Sequence, residues 1–340
     1  MRYRDAGVDI AQADKLVELI QRLNPTGRSQ IGPFAGLFDL KEILKEYSDP
    51  VLVSSTDGIG TKTRIALEYK KFDGLGQDLV AMNVNDLVCL GARPLFFLDY
   101  YATATLDLEI SEEIFAGLVR ACDAAHCVLI GGETAQLRDL FVRSDDFELV
   151  GFVVGIVERS RIPDPQRVIP GDVLLGLAAS GPHCNGFSLI RKIIEKAKLE
   201  LSKTYPEAGE RPLGELLLEP MPIYSNVVVK LVERGVVKGA AHITGGGIAG
   251  NLVRALNERV DAVVERGSWP IPKLFRALQR WGDVPEEELW EVFNMGLGFI
   301  VIVSKEHADA ALKSLAEQGE RAYRVGEIVQ GAGRVHIVKP

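Results

Sequence analysis

The chain is built from short apolar runs that stop abruptly in glycine-rich polar turns. Val51-Leu52-Val53-Ser54-Ser55 ends in Thr56-Asp57-Gly58-Ile59-Gly60-Thr61-Lys62, and Cys127-Val128-Leu129-Ile130 ends in Gly131-Gly132-Glu133-Thr134. Runs of this length between turn signals read as buried strands rather than helices. Apolar residues instead recur at helical spacing over Ile10 to Leu23, Asp78 to Leu90 (stopped by Gly91) and Ser111 to Ala125. Pro94 to Ala102 and Phe147 to Val157 are strand-like. The resulting order, strand–helix–strand–helix–strand–strand, predicts a layered α+β domain.

A second feature divides the chain. Arg159 to Asp172 holds three prolines among several charges, the composition of a linker. With 340 residues and about 150 per domain, two domains are expected, residues 1–165 and 166–340. The second opens with strand Val173 to Leu177. Helices follow near Asn185 to Lys198, Tyr224 to Arg234 and Gly250 to Glu258, then strand Phe299 to Val303, helix His307 to Glu317 and a closing strand Val335 to Val338. The fold class expected is α+β, an α/β-layered pair of mixed sheets flanked by helices.

Composition narrows the function. A hydrophobic share of 47% with 25% charged residues excludes wholesale disorder. The longest apolar run, Leu149 to Val157, is under half of the roughly 20 residues a membrane span needs. A net charge of −8 argues against a nucleic-acid partner, which calls for a basic stripe. An acidic chain that handles phosphorylated metabolites would recruit a divalent cation. Cys89, Cys122, Cys127 and Cys184 show no C-x-x-C spacing and read as reduced, buried thiols. Met1 to Asp5 leads into the chain without an apolar signal segment, so the expected location is the cytoplasm.

The glycine turns carry the candidate chemistry. Gly58 and Gly60 let backbone N–H groups approach phosphate oxygens, Asp57 can hold Mg²⁺, Thr61 offers a hydroxyl and Lys62 can neutralise charge. The spacing is neither that of a Walker A loop nor G-x-G-x-x-G. Asn85 and Asp86 interrupt an apolar helix among Val84, Leu87 and Val88, where a carboxylate needs a cation or hydrogen bonds. Gly131, Gly132, Glu133 and Thr134 again hold an acid in a turn. Taken singly, each is equally a capped turn or an internal hydrogen bond. Three acids at the ends of core elements together favour a metal–phosphate site. In the second half, Ser180-Gly181-Pro182-His183-Cys184-Asn185-Gly186 lies between a strand and a helix, where His183 can act as acid, base or donor. Thr244-Gly245-Gly246-Gly247 suits a phosphomonoester or a tight strand–helix connection.

With these residues in view, the sequence resembles the phosphoribosylformylglycinamidine cyclo-ligase (aminoimidazole ribonucleotide synthetase) family. The blocks that carry the resemblance are AGVDI (6–10), STDGIGTK (55–62), VNDLVCLGARPLFFLDYYAT (84–103), GGETA (131–135), SGPHCNGFSLIRK (180–192), HITGGG (242–247) and EVFNMGLG (291–298). They span nearly the whole chain. The resemblance implies that ATP phosphorylates the formyl amide oxygen of formylglycinamidine ribonucleotide. The amidine nitrogen then closes the imidazole ring and phosphate leaves. It further implies that Asp57, Asp86 and Glu133 hold Mg²⁺–ATP with help from Lys62, and that Asp99 has a polar role in the active site. His183 and Asn185 would lie over the reacting amide, while Ser180, Gly181 and Thr244 to Gly247 would bind substrate. A homodimer is implied in which two N-terminal sheets pair into a barrel, with active sites near the domain junctions.

Two departures stand out. Gln136, Leu137 and Arg138 follow GGETA where the family pattern is an acid, Met and Pro. The loop Gly32-Pro33-Phe34-Ala35-Gly36 replaces a more glycine-rich one, which bears on the nucleotide lid. The alternatives are another ATP-dependent small-molecule kinase or synthetase of the same superfamily, or an inactive nucleotide-binding scaffold. Selenide activation would want a reactive Cys near the N-terminus, and the first Cys here is Cys89. A scaffold would not need Asp57, Asp86, Glu133 and His183 together.

Overall fold

The computed structural model describes residues 10–25 and 34–339. Most of the first block of the family resemblance, residues 6–9, and the substituted Pro33 lie outside them. The first half contains helix α1 (Ile10–Leu23), strand β1 (Pro50–Gly58), helices α2 (Lys62–Tyr69) and α3 (Leu75–Val88), and strand β2 (Arg93–Thr103). Helix α4 (Leu108–Ala124) and strands β3 (Val128–Gln136) and β4 (Phe147–Glu158) complete it. The four strands form one sheet in the order β1-β4-β2-β3, antiparallel except for the parallel pair β2/β3.

The second half contains β5 (Val173–Ala178), α5 (Phe187–Ala197), α6 (Leu213–Leu218), α7 (Ser225–Glu233), β6 (Val237–His242), α8 (Gly247–Leu252) and β7 (Val260–Glu265). There follow α9 (Lys273–Gly282), α10 (Glu286–Val292), β8 (Leu297–Val303), α11 (Ala308–Glu317), β9 (Ala322–Gln330) and β10 (Val335–Val338). Its six strands run β10-β7-β9-β5-β8-β6, with only β10/β7 parallel. The expected two-domain α+β architecture with mixed sheets is what the chain adopts. No described helix is long and apolar enough to cross a membrane.

Alternation along the strands decides which face of the first sheet is covered. Phe97, Tyr101, Leu149 and Val153 are buried under α3 and α4. The residues between them face the other way, and Leu52, Tyr100 and Phe152 are exposed, Leu52 to 59%. Helix α4 is started by Asp107, whose carboxylate accepts from the N–H groups of Glu109 and Ile110 at 3.0 and 3.2 Å. Its apolar residues Ile114, Phe115 and Leu118 then fall into the core.

Two glycine turns expected from the sequence are strand. Gly131 to Thr134 continue β3, paired in register with Leu98 to Tyr101, and Thr56 to Gly58 continue β1 against Val150 to Phe152. Ladder pairing with a neighbour outweighs the local preference of glycine for turns. The helix expected from Gly250 begins earlier, at Gly247, and gives way to a short 3₁₀ turn over Val253–Ala255. Helix α2 carries Lys62 and Thr63 on buried positions, a pattern that hid it among the polar turn residues.

Candidate active site

The end of β1 sets the first acid. Asp57 pairs with Gly151 of β4, and its backbone is held from both sides by Asn83 of α3. Asn83 Oδ1 accepts from Asp57 N at 2.9 Å, and Nδ2 donates to Asp57 O at 3.2 Å. The carboxylate accepts from Gly58 N at 2.7 Å. Burial raises its pKa, and the neighbouring Asp86 raises it further.

Asp86 projects from α3 toward the second domain, where its Oδ1 lies 2.8 Å from Nδ1 of His242 at the end of β6. The His242 ring is buried, stacks on Phe299, and leaves Nε2 without a hydrogen-bond partner among the described residues. Its backbone N–H donates to Cys89 Sγ at 3.2 Å. A cavity of about 410 Å³ opens here between the domains, lined by Asp86, Cys89, His242, Thr244, Asn251 and Arg254. His242 heads the HITGGG block, whose candidate ligand groups by sequence are the hydroxyl and glycines that follow it. Its signal is the buried strand end facing an acid on another domain, which no local pattern spells out.

The two loops of the second domain meet beside this cavity. The glycine run connects β6 to α8. Gly247 has φ 61°, and a Cβ there would meet Trp290 O at 2.0 Å, so only glycine fits. Asn251 Nδ2 donates to the carbonyls of Thr244, Gly245 and Gly247. That fixes the loop while Gly245 and Gly246 stay exposed. Asn185 Oδ1 faces Gly245, 3.6 Å from where its Cβ would stand, and Asn185 Nδ2 is buried without a partner among the described residues. His183 is fully buried on backbone at φ 61°, packed against Gly298, and neither ring nitrogen has a partner among the described residues. Burial holds its pKa well below the ordinary value, with His242 and Lys62 pushing the same way, so the ring is neutral.

A second centre lies at the far edge of the first sheet. Asp99 of β2 is buried, and burial with Glu133 nearby pushes its carboxyl up to about 7. With Glu133 and Thr134 of β3 and Val17 and Ile20 of α1 it lines a cavity of about 220 Å³. Gly131 and Gly132 also line it.

The expected metal set is therefore not assembled. Asp57 and Asp86 come together, but Glu133 is three strands from Asp57, about 14 Å at the usual strand spacing. Glu133 pairs with Tyr100, whereas Asp57, Gly151, Asp99 and Gly132 share one register row, so alternation turns Glu133 toward the opposite face. Among the described residues no three His, Cys, Asp or Glu side chains are placed to hold a metal ion.

Lys62 and Asn85 point inward. Lys62 is wholly buried and lies 2.6 Å from Asp78 Oδ2, so its charge is spent inside the protein. Asn85 is buried and bonds the backbone of Pro222 and Tyr224 at 2.9 Å each. Ser180 donates its hydroxyl to Pro220 O at 2.7 Å, and Gly181 O accepts from Asn294 at 2.9 Å. Thr61 is exposed beside Ser188, with their hydroxyls 3.4 Å apart, while Gly60 is exposed at φ 57°.

Comparison with known proteins gives this geometry a family. Residues 41–157 match the N-terminal domain, and residues 170–339 the C-terminal domain, of the AIR synthase related proteins. Phosphoribosylformylglycinamidine cyclo-ligase of Chromobacterium violaceum is 45% identical over 99% of this chain and 97% of its own length. The protein of that name from Thermoanaerobacter sp. is 46% identical over 98% and 99%. The human trifunctional purine biosynthetic protein adenosine-3 is 44% identical over 99% of this chain, which corresponds to 34% of the human protein. Among solved structures, thiamine-monophosphate kinase from Stenotrophomonas maltophilia matches with a TM-score of 0.68 at 20% identity, covering 95% of each chain. The hydrogenase maturation protein HypE in complex with ATP matches with a TM-score of 0.68 at 21% identity, over 96% of this chain and 91% of its own. Those two likenesses concern the fold alone. The resemblance carried by the sequence blocks is borne out, and the chain belongs to the phosphoribosylformylglycinamidine cyclo-ligase family.

Proposed function

We propose that this protein catalyses the ATP-dependent cyclisation of formylglycinamidine ribonucleotide to 5-aminoimidazole ribonucleotide, releasing ADP and phosphate. The observation that carries the proposal is the end-to-end identity with cyclo-ligases across both domains. The geometry supports it: Asp86 from the first domain, and His242 with Thr244 from the second, face one interdomain cavity. An amide oxygen leaves poorly until it is phosphorylated, so the protein's task is alignment and cancellation of phosphate charge. In this reading residues 1–165 hold the nucleotide and residues 166–340 the ribonucleotide.

Asp57 and Asp86 fit a divalent cation, since Asp86 raises the Asp57 pKa and no described lysine or arginine is paired with either. Mg²⁺ held there together with triphosphate oxygens would neutralise charge, an arrangement that asks only one or two carboxylates of the protein. Asp99 and Thr134, which share one face of the sheet, would serve the nucleotide from the other cavity. Thr244 and the exposed amides of Gly245 and Gly246 would take the substrate's 5′-phosphate. Asn185 would reach the reacting amide, and His183 would join it once its loop moves. The open face bearing Leu52, Tyr100 and Phe152 would pair with that of a second copy as a homodimer. A cytoplasmic setting accords with the chemistry.

The test is to mix ATP, Mg²⁺ and formylglycinamidine ribonucleotide and to follow ADP and the aminoimidazole product together. Equal amounts of both are expected. ADP released without imidazole, or no turnover at all, would overturn the reading.

A further inference from the structure

The segment Glu219-Pro220-Met221-Pro222-Ile223-Tyr224 crosses the first domain as an extended strap without a strand partner. Its two prolines carry no N–H and hold the backbone extended. Side chains take up six of its backbone polar groups. Lys62 Nζ donates to Glu219 O at 3.2 Å, Ser180 Oγ to Pro220 O at 2.7 Å, Gln77 Nε2 to Met221 O at 2.8 Å and Asn85 Nδ2 to Pro222 O at 2.9 Å. Met221 N donates to Asp78 Oδ1, and Tyr224 N to Asn85 Oδ1, each at 2.9 Å. Four of these five side chains belong to α2 and α3 of the first domain; the fifth, Ser180, begins the loop that carries His183 and Asn185.

At the centre sits a fully buried ion pair, Lys62 and Asp78, both without exposure. Burying two charges repays little in stability, so such a pair needs another reason. Here each partner spends a further hydrogen bond on the strap, and the Cys184 thiol, next to His183, lies close enough to Asp78 to bear on its charge. The same α3 carries Asp86, just over two turns beyond Asp78 toward its C-terminal end.

We infer that Asp78 and Lys62 are positioning residues for ring closure: through the strap and Ser180 they set the His183–Asn185 loop in register with the acids of α3 and β1. Neither touches substrate. The inference rests on the proposed cyclo-ligase reading and adds to it the element that aligns the two halves of the site.

The decisive variant replaces the pair together, Lys62→Met with Asp78→Leu, which removes both buried charges and keeps apolar volume. A purely structural pair predicts a stable double variant with unaltered kinetics. A positioning pair predicts that kcat for imidazole formation falls about tenfold or more while KM for ATP stays within about threefold. Amide hydrogen exchange at residues 180–185 should also speed up about tenfold. A folded double variant with unchanged kcat and unchanged exchange overturns the inference. If the double variant does not fold, Gln77→Ala removes one strap bond and no charge, and the same split and faster exchange are expected in weaker form; their absence overturns it. Failure of the unaltered protein to form imidazole sinks the cyclo-ligase reading instead, and the exchange of residues 180–185 still decides whether the strap holds that loop.

Discussion

His183 occupies a costly position: a left-handed backbone in a residue with a Cβ, and two buried ring nitrogens with no partner among the described residues. Each such feature costs of order 1–3 kcal/mol and persists only where the surroundings impose it. Asparagine tolerates the left-handed region well. His183→Asn should therefore fold with a melting temperature no lower than that of the unaltered protein, yet lose about 100-fold or more in imidazole formation. Nucleotide affinity should stay unchanged, as isothermal titration with ATP would measure. Asp99 offers a pH test. Its carboxyl stays protonated in the folded state up to about 7, against 3.8 as the ordinary value, because burial disfavours the charge. Its favourable contribution is complete below about pH 4 and is lost as pH rises toward 7, about 4 kcal/mol at about 1.4 kcal/mol per unit. Asp99→Asn mimics the protonated acid, so urea midpoints of the variant should gain on the unaltered protein between pH 4 and 7 and level off above. Equal midpoints throughout would mean Asp99 is already ionised when folded. At this scale the sequence singles out Asp57, Asp86, His183 and Asn185, since each breaks an apolar pattern. It does not reveal that Lys62 and Asn85 turn inward, because their partners, Asp78 and the strap, are brought to them only by the fold.

Strand elements were legible where alternation is clean and obscured where glycine interrupts it. In β1 every second residue from Val51 is sheltered, and the pattern predicts the strand. In β3 the glycines at 131 and 132 carry no side chain to alternate, and Gly132 lies against Asp99, whose Oδ1 would be 2.1 Å from a Cβ. Only the partner strand β2 reveals that the chain stays extended through Glu133, which is why an acid expected beside Asp57 turns to the other face. The open face of the same sheet supports a prediction at element scale. Phe152 lies on β4, paired on both sides by β1 and β2, with its ring exposed. Phe152→Lys adds a charge where a second copy would press, without touching the covered core. Sedimentation should show the dimer dissociation constant raised about 100-fold or more, roughly 3 kcal/mol, with circular dichroism unchanged. A monomeric unaltered protein at micromolar concentration would remove the basis for the barrel.

Across the whole molecule, two sheets with separate ladders are joined by helix α3, the strap and the Asp86–His242 contact. Coupling between them decides whether the chain melts as one body. All three tryptophans, Trp269, Trp281 and Trp290, lie in the second half, so their fluorescence reports only the six-stranded domain, while far-ultraviolet dichroism reports both. With the strap intact the two signals should follow one denaturation curve, the mark of a single cooperative transition. Lys62→Met alone leaves Asp78 buried without its counter-charge, which typically costs about 3–5 kcal/mol, and the penalty falls on the junction rather than on either sheet. The dichroism curve should then begin its fall at lower urea than the fluorescence curve, the first domain loosening while the second holds. Coincident curves shifted together would place the cost inside one cooperative unit and show that the domains remain coupled by α3 and the Asp86–His242 contact without the buried pair.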